Sequence, residues 1–525
     1  MSFTSIQNVQ IVFAALALLA PLSSIILSKA NQETEGSHAA TLLSRATMLS
    51  WICAMIVLAV SFWLEPQSVK LVRFGAIQVG MYLDVLSGIM LSLVTFLGAV
   101  VTRYSVNYLR GDPRQKHFST WLGLTLCSVM WLVISNNLLM FTCAWMATSL
   151  SLHQLLIFYK DRRSGLIAAK KKFIISRIGD ACLTGALILT WKCFGTWDFA
   201  DLFVQAQRID LSATQDSCAT WISVLLVAGA ALKSAQFPFH SWLPDTMETP
   251  TPVSALMHAG IINAGGFLII RLSPLIVLSP SAMSALMLLG SFTALFASVV
   301  MMTQTSVKKT LAWSTISQMG FMMLQCGLGA FALAALHMVA HSLYKAHAFL
   351  SSGSLVDQTR TLGGLGIKPG ANPWLLLSAI CTTAVTCVWL LALTGISVHL
   401  GQGDFLLIGV FILAVAHLLG SLWNAPSRLY LIPWGIAITG ILSLLGFGFH
   451  ALFREILKGT LPEYSPHFST AEFAAMSVIG ALFLGLLILQ WQSSFGIPQR
   501  WLFKLYVHAH NGLYIGTWAE RVFGK

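Results

Sequence analysis

The chain has 525 residues, of which 56% are hydrophobic and only 10% charged. Soluble domains carry about 25% charged residues, so this composition excludes a soluble protein. The net charge of +12 fits basic loops on the cytoplasmic side of a membrane and gives no reason to expect nucleic acid.

Apolar runs of about 20 residues, each long enough to cross a bilayer, recur along the whole chain. About fourteen or fifteen transmembrane helices are expected at that length, an all-α polytopic membrane protein. The first two are centred near Ala17 and Met55. The first is followed by a polar loop without a small-residue cleavage site, so it reads as a retained span and not as a signal peptide. The next centres fall near Leu93, Cys127, Ala147 and Thr184. Asp84 opens the third span, and an acid at the interface is expected to cap the helix. His153 is the one ionisable group of the fifth span. It reads as hydrogen-bonded core, with proton carriage as the alternative. Arg177 and Asp180 are three residues apart and share a helix face. They form either a structural ion pair or part of an ion path.

Spans centred near Leu226 and Gly260 flank the most informative stretch, Lys233 to His258. Pro238, Pro244, Pro250 and Pro252 interrupt what would otherwise be helix. In a bilayer such a break survives only where protein or trapped water satisfies the freed carbonyls. Lys233, His240, Asp245, Glu248 and His258 flank it. Ionisable groups at membrane depth are costly and mark functional sites. A lysine kept from water can load and unload a proton, so Lys233 is the leading candidate, with His258 beside it.

Further spans are centred near Phe292, Met322, Leu343, Thr383, Phe411, Ile438 and Leu482. His337, His341 and Lys345 recur every four residues and line one helix face. Zinc needs further ligands, and a lysine one turn on opposes a metal. A hydrated proton relay is the better reading. His399 closes the twelfth span, and the tail from Trp501 is amphipathic and interfacial. Nine cysteines lie scattered without a CxxC and read as small buried hydrophobes. Walker, HExxH and Rossmann glycine patterns are missing, so no cofactor or metal is expected in this chain. The basic clusters around Arg110, Arg162, Lys308, Arg360/Lys368, Arg428 and Arg500 are expected inside. That puts the N-terminus outside and the C-terminus in the cytoplasm of a bacterial inner membrane.

The stretch from Lys233 to His258, with Arg177-Ile-Gly-Asp180, Gln304–Gln318 and His337–Gly353, resembles the antiporter-like subunits of respiratory complex I and of Mrp cation/proton antiporters. The resemblance covers roughly residues 80–400. It implies two inverted five-helix repeats, each with a broken helix, and makes Lys233 the central proton-binding lysine. His258, His337, His341 and Lys345 would form the hydrophilic axis. The corresponding division is 1–117, 118–273, 274–424 and 425–525. Two positions depart from that pattern. Met146 stands where relatives carry a glutamate that tunes the lysine, and His399 where they carry a lysine. His153 is a possible substitute for the glutamate. With these departures and the variant from Met257 to Gly266, the chain resembles the DabB-type membrane subunits of bacterial inorganic carbon transporters. That resemblance implies a large cytoplasmic zinc partner of DabA type, related to β-carbonic anhydrases, with cation flow through this chain driving CO₂ hydration there. The coupling ion is a proton or sodium. A proton-pumping subunit of a quinone oxidoreductase and an Mrp-type sodium/proton antiporter subunit stay open as alternatives.

Overall fold

The computed structural model describes residues 3–30, 36–75, 77–209, 217–353, 373–394, 401–423, 428–462, 464, 466, 468–493 and 500–523. His399, Arg360 and Lys368 lie outside them. In hydrocarbon the backbone must satisfy its own hydrogen bonds, so spanning segments fold as helices. Among the described residues eleven segments are long and apolar enough to cross a membrane. Every predicted centre falls within a helix except Gly260, which sits at a kink.

Helices α1 (Phe3–Ala30) and α2 (Gly36–Ser61) lead into a two-stranded hairpin, β1 (Gln67–Phe74) and β2 (Ile77–Leu83). The all-α expectation therefore missed one small antiparallel element. Its polar residues do not alternate cleanly, which hid it among the loops. Then come α3 (Val85–Tyr108), α4 (Gln115–Ile134), α5 (Leu138–Leu156), α6 (Arg163–Phe194) and the short α7 (Phe199–Gln207). The broken region follows as α8 (Ser217–Lys233), α9 (Trp242–Asp245), α10 (Thr251–Ala259), α11 (Ala264–Arg271) and α12 (Ser273–Ile276). After it run α13 (Pro280–Met301), α14 (Val307–Gly327), α15 (Phe331–Leu350), α16 (Pro373–Thr394), α17 (Asp404–Trp423), α18 (Arg428–Ile456) and α19 (Thr470–Ser493). Two short helices close the chain, α20 (Arg500–His510) and α21 (Ile515–Phe523).

One continuous core joins α3 to α15, with the aromatic stack of Phe141, Trp145 and Phe267 inside it. Membrane helices gain little from the hydrophobic effect and pack by close approach. The α13–α14 pair shows this: a Cβ on Gly290 would fall 2.4 Å from the Leu324 nitrogen, and one on Gly320 2.5 Å from the Ala294 nitrogen. Helices α16–α19 form smaller clusters, one of them shared with α13 and α14 through Met287 and Leu324, and turn large residues such as Trp389 and Ile441 outward.

The basic loops meet on one face. Arg114 donates to the Phe158 carbonyl, Arg162 to the Glu248 carbonyl and Lys308 to Thr251 Oγ1. The tail lies against the same face: His510 Nδ1 is 2.9 Å from the Thr303 carbonyl and Lys171 reaches the Gly516 carbonyl. Tail residues Phe503 and Trp518 are exposed. The opposite face holds the hairpin, bridged to the α4–α5 turn through Met81 and Ser135. Cys193 and Cys218 pair there as a disulfide between the α6 C-terminus and the α8 N-terminus. That corrects the reading of all cysteines as small hydrophobes. A pairing 25 residues apart leaves no local spacing signal.

Candidate functional site

Lys233 is the last residue of α8, and only the four-residue α9 intervenes before α10. Ala235 takes the left-handed backbone region, at φ +48°, and Phe237–Pro238 is cis. Pro244 lies within the four-residue α9. Pro250 and Pro252 do not interrupt a helix but start one: Pro250 is the N-cap of α10 and Pro252 is in its first turn, where the missing N–H costs nothing. The freed backbone is tied down by polar side chains. Ser234 Oγ donates to the Ile262 carbonyl at 2.7 Å, and the Phe237 N–H donates to Thr293 Oγ1 at 3.2 Å. Gly265 permits this closeness, because a Cβ there would sit 2.3 Å from Ser234 Oγ.

Two groups of polar side chains flank the break. The first lies between α5, α6 and α8. The Lys233 ammonium is buried, donates to the Trp145 carbonyl at 3.4 Å and sits 4.3 Å from the Trp145 ring centroid, a cation–π contact. Asp180 pairs with Arg177 at 2.6 Å, and its charge also acts on Lys233 and Lys172. Lys172, also buried, donates to Ser149 Oγ at 2.9 Å and to the Ser149 carbonyl at 2.8 Å. His153 packs its ring on Phe173, 5.1 Å between centroids, with Lys172 and Arg177 as charged neighbours. Met146 is half-buried beside Trp145 and offers no charge. The carboxylate facing Lys233 therefore comes from α6, as Asp180.

The second group lies between α10, α14 and α15. His258 is fully buried, with Nδ1 3.1 Å from Thr315 Oγ1. The Thr315 hydroxyl donates to the Leu311 carbonyl at 2.9 Å. Its one hydrogen is thus used, so His258 donates at Nδ1 and keeps Nε2, which has no partner, as an acceptor. Lys345, 0% exposed, donates to that same Leu311 carbonyl at 3.1 Å. His341 is buried with neither ring nitrogen paired, and its ring lies 6.2 Å from that of His337. His337 Nδ1 is 2.8 Å from Gln325 Oε1. Asn263, in the turn after α10, donates to Ser342 Oγ at 2.7 Å and so bridges the break to the helix of the histidine row. Among the described residues no acid pairs with Lys345 or these histidines, and no cluster of three or more metal-ligating side chains occurs.

Sequence reasoning missed three buried charges. Lys171 and Lys172 belong to a run read as cytoplasmic topology, yet both are buried, and Lys171 holds Asp245 of the break at 2.8 Å. Arg271 was overlooked. It makes a two-point pair with Asp84, at 2.5 and 3.0 Å, on the face opposite the basic loops. Asp84 caps α3 as expected, in a capping box with Ser87, and carries this ion pair besides. An arginine ending an apolar helix was the available signal.

The model of the family described as NADH:quinone oxidoreductase/Mrp antiporter, TM, matches residues 135–419, and that of the complex I chain 5 N-terminus matches residues 72–119. A probable inorganic carbon transporter subunit DabB2 of Halothiobacillus neapolitanus is 38% identical over 452 residues, covering 85% of this chain and 80% of the relative. The chain belongs to the antiporter-like membrane family, among its DabB-type subunits. The probable inorganic carbon transporter subunit DabB of Hydrogenovibrio crunogenus is 40% identical over 395 residues, 74% of this chain and 73% of that one. Among solved structures, the archaeal membrane-bound sulfane sulfur reductase contains a chain with TM-score 0.59 and 16% identity, covering 97% of this chain and 99% of its own. That likeness concerns the fold. The chain is thus a multi-pass membrane protein whose relatives are transporter or ion-translocating subunits that work with partner subunits.

Proposed function

We propose that this chain is the membrane subunit of an energy-coupled inorganic carbon transporter and conducts protons. Its partner would be a large cytoplasmic zinc subunit of DabA type, in which one-way hydration of CO₂ to bicarbonate takes place. The carrying observation is the buried Lys233 at a helix break, with Asp180 on one side and the His258–Lys345–His341–His337 row on the other, in a chain related to DabB-type subunits.

In this reading Lys233 takes and gives up the proton. Asp180 and Arg177 set the local field, and Lys172 supplies a second positive charge that opposes double loading. His153 borders the same group. Neutral imidazoles accept at one nitrogen and release at the other, which suits His341, whose nitrogens are free. Protons fit this row better than sodium, because sodium prefers oxygen ligands while the row supplies imidazole and amine. The basic face lies in the cytoplasm of a bacterial inner membrane, with the N-terminus outside and the C-terminus inside. The two-repeat division at residues 118–273 and 274–424 and a role for His399 at the path's end belong to the same proposal.

Lys233→Ala is expected to abolish carbon uptake while membrane insertion and partner binding persist. Normal uptake would sink the proposal. Mild-detergent purification from native membranes tests the partner. A single large zinc-containing soluble subunit supports this reading. Flavin, iron–sulfur or several antiporter-like partners would assign the chain to a respiratory or Mrp assembly.

A further inference from the structure

The two tail helices lean on the broken region from the face of the basic loops. His510, the last residue of α20, places Nδ1 2.9 Å from the Thr303 carbonyl, and Gln304 Nε2 donates to the His510 carbonyl at 3.3 Å. In the turn before α21, a Cβ on Gly512 would meet the Trp313 ring at 3.4 Å. The Trp313 ring lies 5.2 Å from that of His240, inside the break. At the start of α21 the Gly516 carbonyl accepts from Lys171 at 3.4 Å, and the same ammonium holds Asp245 at 2.8 Å. The tail thus reaches the break twice, through Trp313–His240 and through Lys171–Asp245.

The other side of the tail is apolar and uncovered. Phe503 is 69% exposed and Trp518 64%, and Tyr506, Leu513, Tyr514 and Val522 are exposed with them, while Ala509, Gly512 and Ala519 are buried against the protein. Trp518, Arg521 and Val522 share one face of α21, at i, i+3 and i+4. Leu513 and Tyr514 take the left-handed backbone region, at φ +51° and +63°, which bulky residues rarely adopt. A strained turn that leaves two large apolar side chains exposed needs a reason outside the fold.

Water is a poor partner for such a face. The tail's position names a better one. It runs from the end of α13 to α6, and both spans turn large apolar side chains outward, Leu288 and Phe292 on α13 and Ile178 and Ile188 on α6. Exposed apolar residues of a span face lipid. The tail therefore lies along the lipid margin of the bundle, where aromatic residues settle at headgroup level. Residues 500–525 carry Arg500, Lys504, Arg521 and Lys525 against one acid, Glu520, and Lys170, beside Lys171, is exposed. That charge selects anionic headgroups.

We infer that the tail is a lipid-seated clasp on the break: anionic phospholipid headgroups on the side of the basic loops bind its aromatic, basic face, hold α20 and α21 against Trp313 and Lys171, and so keep Lys233 in its conducting geometry. The effect on flux rests on the proton-path reading above; the lipid binding stands apart from it.

Two measurements test it, both on the full chain with its partner. In nanodiscs of phosphatidylcholine, with or without phosphatidylglycerol, trypsin cleavage after the exposed Lys504 and Arg521 is followed by mass. Phosphatidylglycerol is expected to slow cleavage about fivefold, the effect of one basic residue at an anionic surface, and high salt to remove the protection. Proteoliposomes of the same lipids report proton flux with a pH-sensitive dye. Flux is expected to be about fivefold higher with phosphatidylglycerol, and Lys504→Glu/Arg521→Glu to lose that gain. Should that variant fail to assemble, Phe503→Ser/Trp518→Ser removes the aromatic anchors, keeps the charge and is expected to lose the gain as well. Equal cleavage in the two lipids would overturn lipid as the occupant, and protection that needs only the partner would make the face a protein-docking surface instead. Protection by phosphatidylglycerol with unchanged flux would overturn the hold on the break. Lipid-dependent cleavage together with full flux in Lys233→Ala would remove the proton-path reading and leave the lipid seat standing.

Discussion

The two groups flanking the helix break solve the same problem differently. Around Lys233 the buried cations meet an acid: Asp180 faces Lys233, Lys172 and Arg177. Around Lys345 no acid pairs among the described residues, and the cation is held by a backbone carbonyl shared with Thr315. A buried charge needs compensation from an opposite charge or from dipoles. The first group uses the charge, so on the proposed path its balance would shift whenever Lys233 loads. The second uses dipoles and imidazoles, which on the proposed path would hand a proton along without breaking an ion pair. Two further ties lie at the face opposite the basic loops, one within the first group and one at the helix that follows the break. Cys193–Cys218 joins α6 to α8, and Asp84–Arg271 joins α3 to α11.

The comparison can be broken at these ties first. Arg271→Ala leaves Asp84 buried without its partner, and such losses cost about 3–5 kcal/mol. Thermal unfolding in detergent should show it, with Asp84→Leu/Arg271→Met recovering part. Equal stability of the single variant and the wild type would mean the pair is not holding α11. Cys193→Ser opens a closed loop of 25 residues, worth about 3 kcal/mol in the chain-entropy account. The same melting assay checks it, and mass analysis of alkylated protein reports whether the thiols are paired in cells.

Chemistry at the acid comes next. Asp180→Asn should lower proton flux about a hundredfold, the equivalent of about 2.7 kcal/mol, and Asp180→Glu should restore part of it. Full flux in Asp180→Asn would erase the distinction between the two groups. The smallest effect is expected in the row. His341→Ala should slow flux about tenfold, or about 1.4 kcal/mol, and His337→Ala by a similar factor, both with unchanged metal content by elemental analysis. Loss of a bound metal in either variant would return the zinc reading of that helix face.

Asp180 also shows how far the site was legible. Its spacing from Arg177 marked a shared helix face, and the pair forms at 2.6 Å. What the spacing could not say was that α6 turns this acid toward Lys233. His153 was the substitute suggested, and it packs on Phe173 nearby without being an acid. The row on α15 was legible because four-residue periodicity is a property of one helix.

The sequence by itself determined the spans, the break after Lys233 and the family. A helix in hydrocarbon closes its hydrogen bonds within about four residues, so hydropathy, proline and periodicity carry that information locally. Only the tertiary structure decided which buried charges meet. Lys171 finds Asp245 across 74 positions and Arg271 finds Asp84 across 187. Such pairs are set by how helices pack side by side, and interhelical packing leaves no fixed spacing along a single chain.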